Sequence, residues 1–227
     1  MSLGEYTGAG SGVTKGLYHL SGNSNDSSGN STNGTDTAIT YSLANGRFGQ
    51  GASGNGTTSE IELTNLASVF SGNNNYTISL RFYPPTGMST YSECFSATVS
   101  QGWTAGSGEL AVRFETPKYY FVLALYSGGG FKYEIPIQYD KWNCITITAD
   151  GQTRKIYLNG SLVSSNSFNN TYNFAYFNLM NTASNTIGYR GLESGQKLDE
   201  VIAENVVWSP EKVKKYFTFS KGRFGNI

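Results

Sequence analysis

The sequence predicts an all-β protein, an antiparallel sandwich or barrel, and three observations predict it. Apolar residues recur at every second position in many short runs. In residues 76–83, Tyr76, Ile78, Leu80 and Phe82 face one way and Thr77, Ser79 and Arg81 the other, the pattern of a half-buried strand. Residues 142–163 read as a meander: Ile145 and Ile147 alternate with Thr146 and Thr148, and Ile156 and Leu158 with Lys155 and Tyr157. Asp150-Gly151-Gln152 breaks the first pair of runs and Asn159-Gly160 the second; Asn-Gly suits a type I′ hairpin, which needs φ > 0 at both central residues. Finally, 28 Gly and 16 Tyr stand beside only 14% charged residues among 227. Short strands joined by Gly, Asn and Ser turns give that composition, and disorder does not.

Taken in order, residues 1–15 form a Gly- and Ser-rich arm with one aromatic, Tyr6. Residues 16–20 read as a strand with Leu17 and His19 on one side and Tyr18 and Leu20 on the other. Residues 21–37, almost wholly Ser, Asn, Gly, Asp and Thr, form a turn-rich loop. Order resumes at Ile39-Thr40-Tyr41, followed by a Gly-punctuated strand at 46–51, where glycine marks a bulge or a close backbone approach. Residues 60–63 alternate, and Pro84-Pro85 ends the 76–83 strand. Further strands are expected at 93–99, 109–115, 119–126, 131–136, 175–179, 186–189 and 198–208. One helix follows, with Ser209 as N-cap, Pro210 at the first helical position and Glu211 favourable to the dipole. Val213, Tyr216 and Phe217 give it one apolar face over two to three turns. The domain is thus 16–217, and 218–227 is a basic, aromatic tail.

The net charge is zero and the Lys and Arg residues are scattered, which argues against a nucleic-acid partner. Two cysteines, Cys94 and Cys144, lie in strand-like runs. They read as buried free thiols, with a disulfide between them as the alternative. A single histidine, His19, cannot complete a zinc site with them unless carboxylates help. No stretch of 18 apolar residues predicts a membrane helix, and the N-terminus does not read as a signal peptide.

The segments GLYHLSGNSNDSSGNSTNGT (16–35), GRFGQGASGNG (46–56), YTISLRFYP (76–84), WNCITITADGQTRKIYLNGSLV (142–163) and KLDEVIAENVVWSPEKVKKYF (197–217) together resemble laminin-G-like domains of the concanavalin A-like lectin/glucanase superfamily. The resemblance implies a jelly roll of two antiparallel sheets packed face to face, one concave, with the first and last strands side by side. It also implies that Asp26 in the polar loop and Asp199 near the last strand come close together and hold a structural calcium ion, an ion that takes six to eight oxygens.

Catalysis is not expected. The closely spaced E-x-D-x-E acids of glucanases with this fold are missing; Glu200 and Glu204 share a face by parity with no third acid between them. His19 reads as a packing residue, and no G-x-S-x-G elbow exists. The aromatic residues carry more promise, because Tyr and Trp stack on sugars and anchor protein contacts. Trp103, Tyr119, Tyr126 and Tyr133 are the candidate ligand-binding residues, whereas Trp142 and Trp208 read as structural. The expectation is a non-enzymatic surface module: a structural, decoration or adhesion component of a phage virion or similar assembly. Its partners would be neighbouring subunits held through residues 1–15 and the tail, at a virion surface or outside the cell. The alternative is a calcium-dependent, lectin-like module with a glycan ligand.

Overall fold

A computed structural model describes residues 13–56, 58–70, 74–88, 92–99, 109–115, 119–126, 129–167, 174–180 and 195–222. The strands are β1 (Thr14–Tyr18), β2 (Thr35–Thr37), β3 (Ile39–Ser42), β4 (Gly51–Gly54), β5 (Glu60–Glu62), β6 (Asn75–Tyr83), β7 (Ser92–Thr98), β8 (Glu109–Glu115), β9 (Tyr119–Tyr126), β10 (Gly129–Ile135), β11 (Asn143–Asp150), β12 (Thr153–Leu158), β13 (Ser161–Ser167), β14 (Tyr176–Leu179) and β15 (Lys197–Glu204). A 3-10 turn covers Leu43–Asn45, and two helices are α1 (Thr64–Phe70) and α2 (Pro210–Gly222). One sheet runs β13-β12-β11-β6-β15-β4-β3, with β1 also paired to β15. The other runs β10-β9-β8-β7-β14-β5-β2. First and last strands lie side by side and antiparallel, Leu17 opposite Ile202.

The alternation seen in the sequence places the core. Tyr76, Ile78, Leu80 and Phe82 of β6, Ile145, Ile147 and Ala149 of β11, and Leu198, Val201 and Ala203 of β15 face the second sheet, which supplies Phe95, Leu110, Val112 and Phe177. Burying each of the Val, Leu, Ile and Phe side chains among them contributes about 1.5–3 kcal/mol. Cys94 lies in this core and Cys144 in a different cluster, both free thiols as expected.

The opposite face of the first sheet is buried as well. Leu17, Cys144, Tyr157, Ile202, Trp208, Val213 and Tyr216 form a second cluster beneath α2. Thr77, Ser79 and Arg81, the polar face of β6, are therefore buried rather than solvated. The two hydroxyls are satisfied locally: Thr77 Oγ1 donates to the Val206 carbonyl at 2.7 Å and accepts the Trp208 N–H at 2.9 Å, and Ser79 Oγ donates to the Ile145 carbonyl at 3.2 Å. Glu204 fixes the start of the helix, accepting bonds from Trp208 Nε1, Lys212 Nζ and Thr14 Oγ1. Ser209 is the N-cap, its Oγ accepting the Lys212 N–H at 3.2 Å.

Several expectations need correction. The 46–51 segment is a loop leading into β4, not a strand. The 198–208 strand ends at Glu204, where the chain turns to start α2. Helix α1 was not expected from the sequence; it is one short element whose Leu66 and Ala67 join the core. Helix α2 has 13 residues, longer than two to three turns, and runs to Gly222 because nothing in KKYFTFSKG breaks it. β1 begins at Thr14, and the polar loop contributes β2 at its end. The strand expected at 186–189 lies outside the described residues.

The Asn159-Gly160 turn has φ values of +51° and +80°, as the hairpin requires. It also seats α2, since a Cβ on Gly160 would lie 3.1 Å from Phe217 Cδ1. Gly160→Ala therefore meets both a left-handed backbone and an occupied space. It is expected to cost about 1–2 kcal/mol of stability, read as a lower denaturant midpoint at unchanged slope; an unchanged midpoint contradicts this packing.

Candidate functional site

The site is built on a bulge in β15. Asp199 pairs with Arg81 and Ile202 with Ser79, so Glu200 and Val201 together oppose Leu80. Glu200 takes the left-handed conformation, φ +49°. This is unusual for a residue with a side chain and concentrates where a fold re-aims groups. The bulge leaves Asp199 on the outer face, against the loop between the 3-10 turn and β4. Asp199 Oδ2 accepts the N–H groups of Arg47 at 2.6 Å and Phe48 at 2.9 Å. Its Oδ1 is buried with no hydrogen-bond partner among the described residues. Burial raises the Asp199 pKa to about 7, opposed by the Phe48 N–H and reinforced by the neighbouring Glu200 charge.

The loop can adopt this shape because it is glycine-rich. A Cβ on Gly46 would fall 2.2 Å from the Gly49 carbonyl oxygen, and one on Gly51 2.3 Å from that of Asn45. The chain thus folds back on itself and projects Arg47 and Phe48. The close backbone approach expected from these glycines is present, although the strand is not. The Phe48 ring lies 5.0 Å from the Arg81 guanidinium carbon, and the Tyr216 ring 5.4 Å from it. Arg81 is only 4% exposed, clamped between two rings by cation–π contacts.

Arg47, Phe48, Arg81 and Phe217 line a cavity of about 280 Å³, completed by Gln138, Trp142 and Asn159. Trp142 stands edge-on to Tyr83, with ring centroids 5.9 Å apart. Lys197 backs that pair, its Nζ 4.8 Å from the Tyr83 ring centroid and donating to the Ala44 carbonyl at 2.8 Å. Asn159 Oδ1 is held by the Cys144 N–H at 2.8 Å, which leaves its Nδ2 as a donor. Trp142, read from the sequence as structural, is half-buried and lines the cavity. Sequence parity missed it because it precedes β11, where alternation does not apply. A second, mostly apolar cavity of about 260 Å³ lies between Thr86, Gly87, Met88, Phe114 and Tyr139.

The residues singled out from the sequence are placed as follows. Asp26 accepts five bonds: the N–H groups of Leu17, Ser28 and Thr32 and the hydroxyls of Ser28 and Thr32. Burial raises its pKa, but the Ser28 and Leu17 N–H groups outweigh this and hold it below the usual value. Asp26 thus staples the polar loop to β1, and among the described residues no bond or shared partner joins it to Asp199. Tyr133 is half-buried, and its hydroxyl donates to the Val163 carbonyl at 2.6 Å. Tyr119 and Tyr126 stand at the two ends of β9 with side chains outside the described residues, and Trp103 lies wholly outside them. His19 is not a strand packing residue: it follows β1, its side chain is 33% exposed, and its Nδ1 is 2.9 Å from Glu200 Oε1. Glu200 and Glu204 are buried rather than solvent-facing, because α2 covers their face.

The sequence profile of the Laminin_G_3 family, described as the concanavalin A-like lectin/glucanases superfamily, matches residues 55–214, more than half of the chain. The chain belongs to this family. Members of the superfamily share the jelly-roll sandwich described above, and solved structures are similar to it throughout. Domain 4 of AbnA, an extracellular GH43 arabinanase from Geobacillus stearothermophilus, in complex with arabinotriose, has a TM-score of 0.64 and 18% identity, covering 89% of this chain and 97% of that one. The binding domain of Paraclostridial Mosquitocidal Protein 1 has a TM-score of 0.66 and 17% identity, covering 90% and 52%. Trypanosoma rangeli sialidase, in complex with the inhibitor DANA, has a TM-score of 0.62 and 13% identity, covering 89% and 32%. This Laminin_G_3 chain therefore spans about a third of the sialidase and half of the toxin domain. No curated protein matches it. No helix among the described residues is long and apolar enough to cross a membrane.

The raised Asp199 pKa has a definite sign. The folded state holds the proton up to about pH 7 and the unfolded chain only to about 3.8, so stability falls as pH rises between these values. Asp199→Asn keeps an oxygen for the two loop N–H groups and removes the charge. It is expected to raise the thermal midpoint at pH 8 by several degrees and to flatten the decline between pH 4 and 7. A lower midpoint at pH 8 contradicts the assignment.

Proposed function

We propose that this protein is a non-enzymatic carbohydrate-binding module that takes its sugar in the Trp142 cavity. One observation carries the reading: an indole ring and several hydrogen-bond donors line one concave site. The donors are the Arg47 guanidinium, Asn159 Nδ2 and the Gln138 amide, and no acid stands among the described lining residues. Sugars are recognised by this combination, an aromatic face for the C–H surface and fixed polar groups for the hydroxyls. A binding role also suits the carboxylates. Glycoside cleavage needs two of them flanking the bond at about 5–10 Å. Here Glu204 is held by Trp208 and Lys212, Glu93 by Arg113, Glu200 by His19, and Asp199 lies buried beneath the loop.

The arabinotriose complex of the arabinanase domain and the binding domain of the mosquitocidal protein support this class of function by analogy of fold. Calcium is not part of the proposal. Asp26 is surrounded by N–H and O–H donors instead of the oxygen acceptors a calcium ion requires. A role in a virion or adhesive assembly is a further setting for such a module; of the arms that would attach it, 1–15 and 218–227, residues 1–12 and 223–227 lie outside the described residues.

The test is a glycan array followed by titration calorimetry of the best binder. Trp142→Ala is expected to weaken that binding at least tenfold, about 1.4 kcal/mol, with the fold retained by circular dichroism. Equal binding by the variant, or an array without any binder, overturns the reading.

A further inference from the structure

The polar end of the Trp142 cavity carries more than general sugar recognition needs. Arg47 makes one side-chain contact among the described residues, with its own neighbour: its guanidinium carbon is 5.8 Å from the Phe48 ring centroid. It forms no ion pair with a described carboxylate. Its backbone is nevertheless fixed, by the N–H bond to Asp199 and by the glycine contacts that close the loop. An arginine with a hydrogen-bonded backbone, a ring to lie on and five donors with no acceptor among the described residues is a prepared fork for a planar oxyanion.

The described lining residues hold a second cation, while the acids Asp199 and Glu200 act from the side on the Tyr216 ring that holds it. Arg81 is the second cation of the lining, immobilised between Phe48 and Tyr216. Lys197 stands behind Tyr83 and Trp142. The acid nearest the loop, Asp199, directs its one hydrogen-bonded oxygen at backbone N–H groups rather than at the guanidinium. The whole chain is neutral, so the two arginines among the described lining residues are a local excess of positive charge. The cavity, about 280 Å³, lies at the small end of ligand pockets, roughly 300–1,000 Å³, which suits a single terminal residue better than a long chain.

We infer that the ligand is an acidic glycan whose terminal sugar carboxylate pairs with Arg47 while its ring lies against Trp142. The inference rests on the carbohydrate-binding reading and narrows it to one chemical class. Asn159 and Gln138 then serve the hydroxyls, and Arg81 contributes charge without moving.

The test uses the full chain and matched probes in calorimetry: oligogalacturonate, oligomannuronate and sialyllactose, each beside its carboxyl-reduced form, and a sulfated galacto-oligosaccharide. The native protein is expected to bind at least one carboxylated probe tenfold or more tighter than its reduced partner. Arg47→Gln is expected to erase that preference and flatten the salt dependence, leaving charged and reduced partners bound equally, each more weakly than by the native protein. Arg47→Lys, which keeps the charge but not the fork, is expected to restore only part of it. Equal binding of charged and reduced partners by the native protein, a preference that survives Arg47→Gln, or capture of the sulfated probe alone overturns the inference and leaves the sugar-binding reading standing. Failure of every probe, charged and reduced, overturns both.

Discussion

The bond between the Asp199 carboxylate and the N–H groups of Arg47 and Phe48 is the constraint on which the functional face depends. It ties a glycine loop to the middle of the first sheet. Asn45, bonded to Ser53, and Ala44, bonded to Lys197, hold the start of the loop, and Asp199 holds its Arg47-Phe48 tip. Bonds of a carboxylate to N–H donors contribute about 1.5–3 kcal/mol each. Against them stand the desolvation of a buried acid and the left-handed Glu200, a conformation that costs about 1–3 kcal/mol. The terms are of similar size, so the clamp is a device for position more than for stability. It sets Phe48 against Arg81, and Arg81 in turn sits on Tyr216 of the helix.

The same geometry explains why the helix matters. Helix α2 turns the outer face of β6, β11 and β15 into a second buried layer, with Trp208 and Tyr216 5.0 Å apart at its centre. The C-terminal part of the helix then brings Phe217 over the Asn159-Gly160 turn and to the cavity wall. The cavity is thus assembled where a loop, a hairpin, a strand-preceding tryptophan and a helix end converge. Tyr133 lies on the other sheet, away from this cavity, and directs its hydroxyl to the Val163 carbonyl.

Much of the fold was legible in the sequence because it follows from local periodicity. Alternation located β6, β11 and β12, the Asn-Gly pair fixed the hairpin, and Ser209-Pro210 marked the helix start. The site was legible only in fragments. Asp199 drew attention as a carboxylate in the last strand, yet its partners lie about 150 residues earlier in backbone N–H groups that no side-chain pattern reveals. Arg81 looked solvated because parity shows which face a side chain takes and not what covers that face. The bulge at Glu200 breaks parity itself, and its residue gives no glycine signal. Trp142 sits one residue outside a strand, where alternation is silent. The doublet Arg47-Phe48 between glycines was the available clue: two large side chains on a loop that only glycine can close.

The most direct test of this account is a pH titration followed by NMR at the Arg47 and Phe48 amides and the Asp199 carboxyl carbon. The clamp predicts that all three move together with one midpoint near pH 7, and that both amides are protected from solvent exchange above it. Amides that exchange freely, or an Asp199 carboxyl titrating near its ordinary value of 3.8 independently of the two amides, would contradict it.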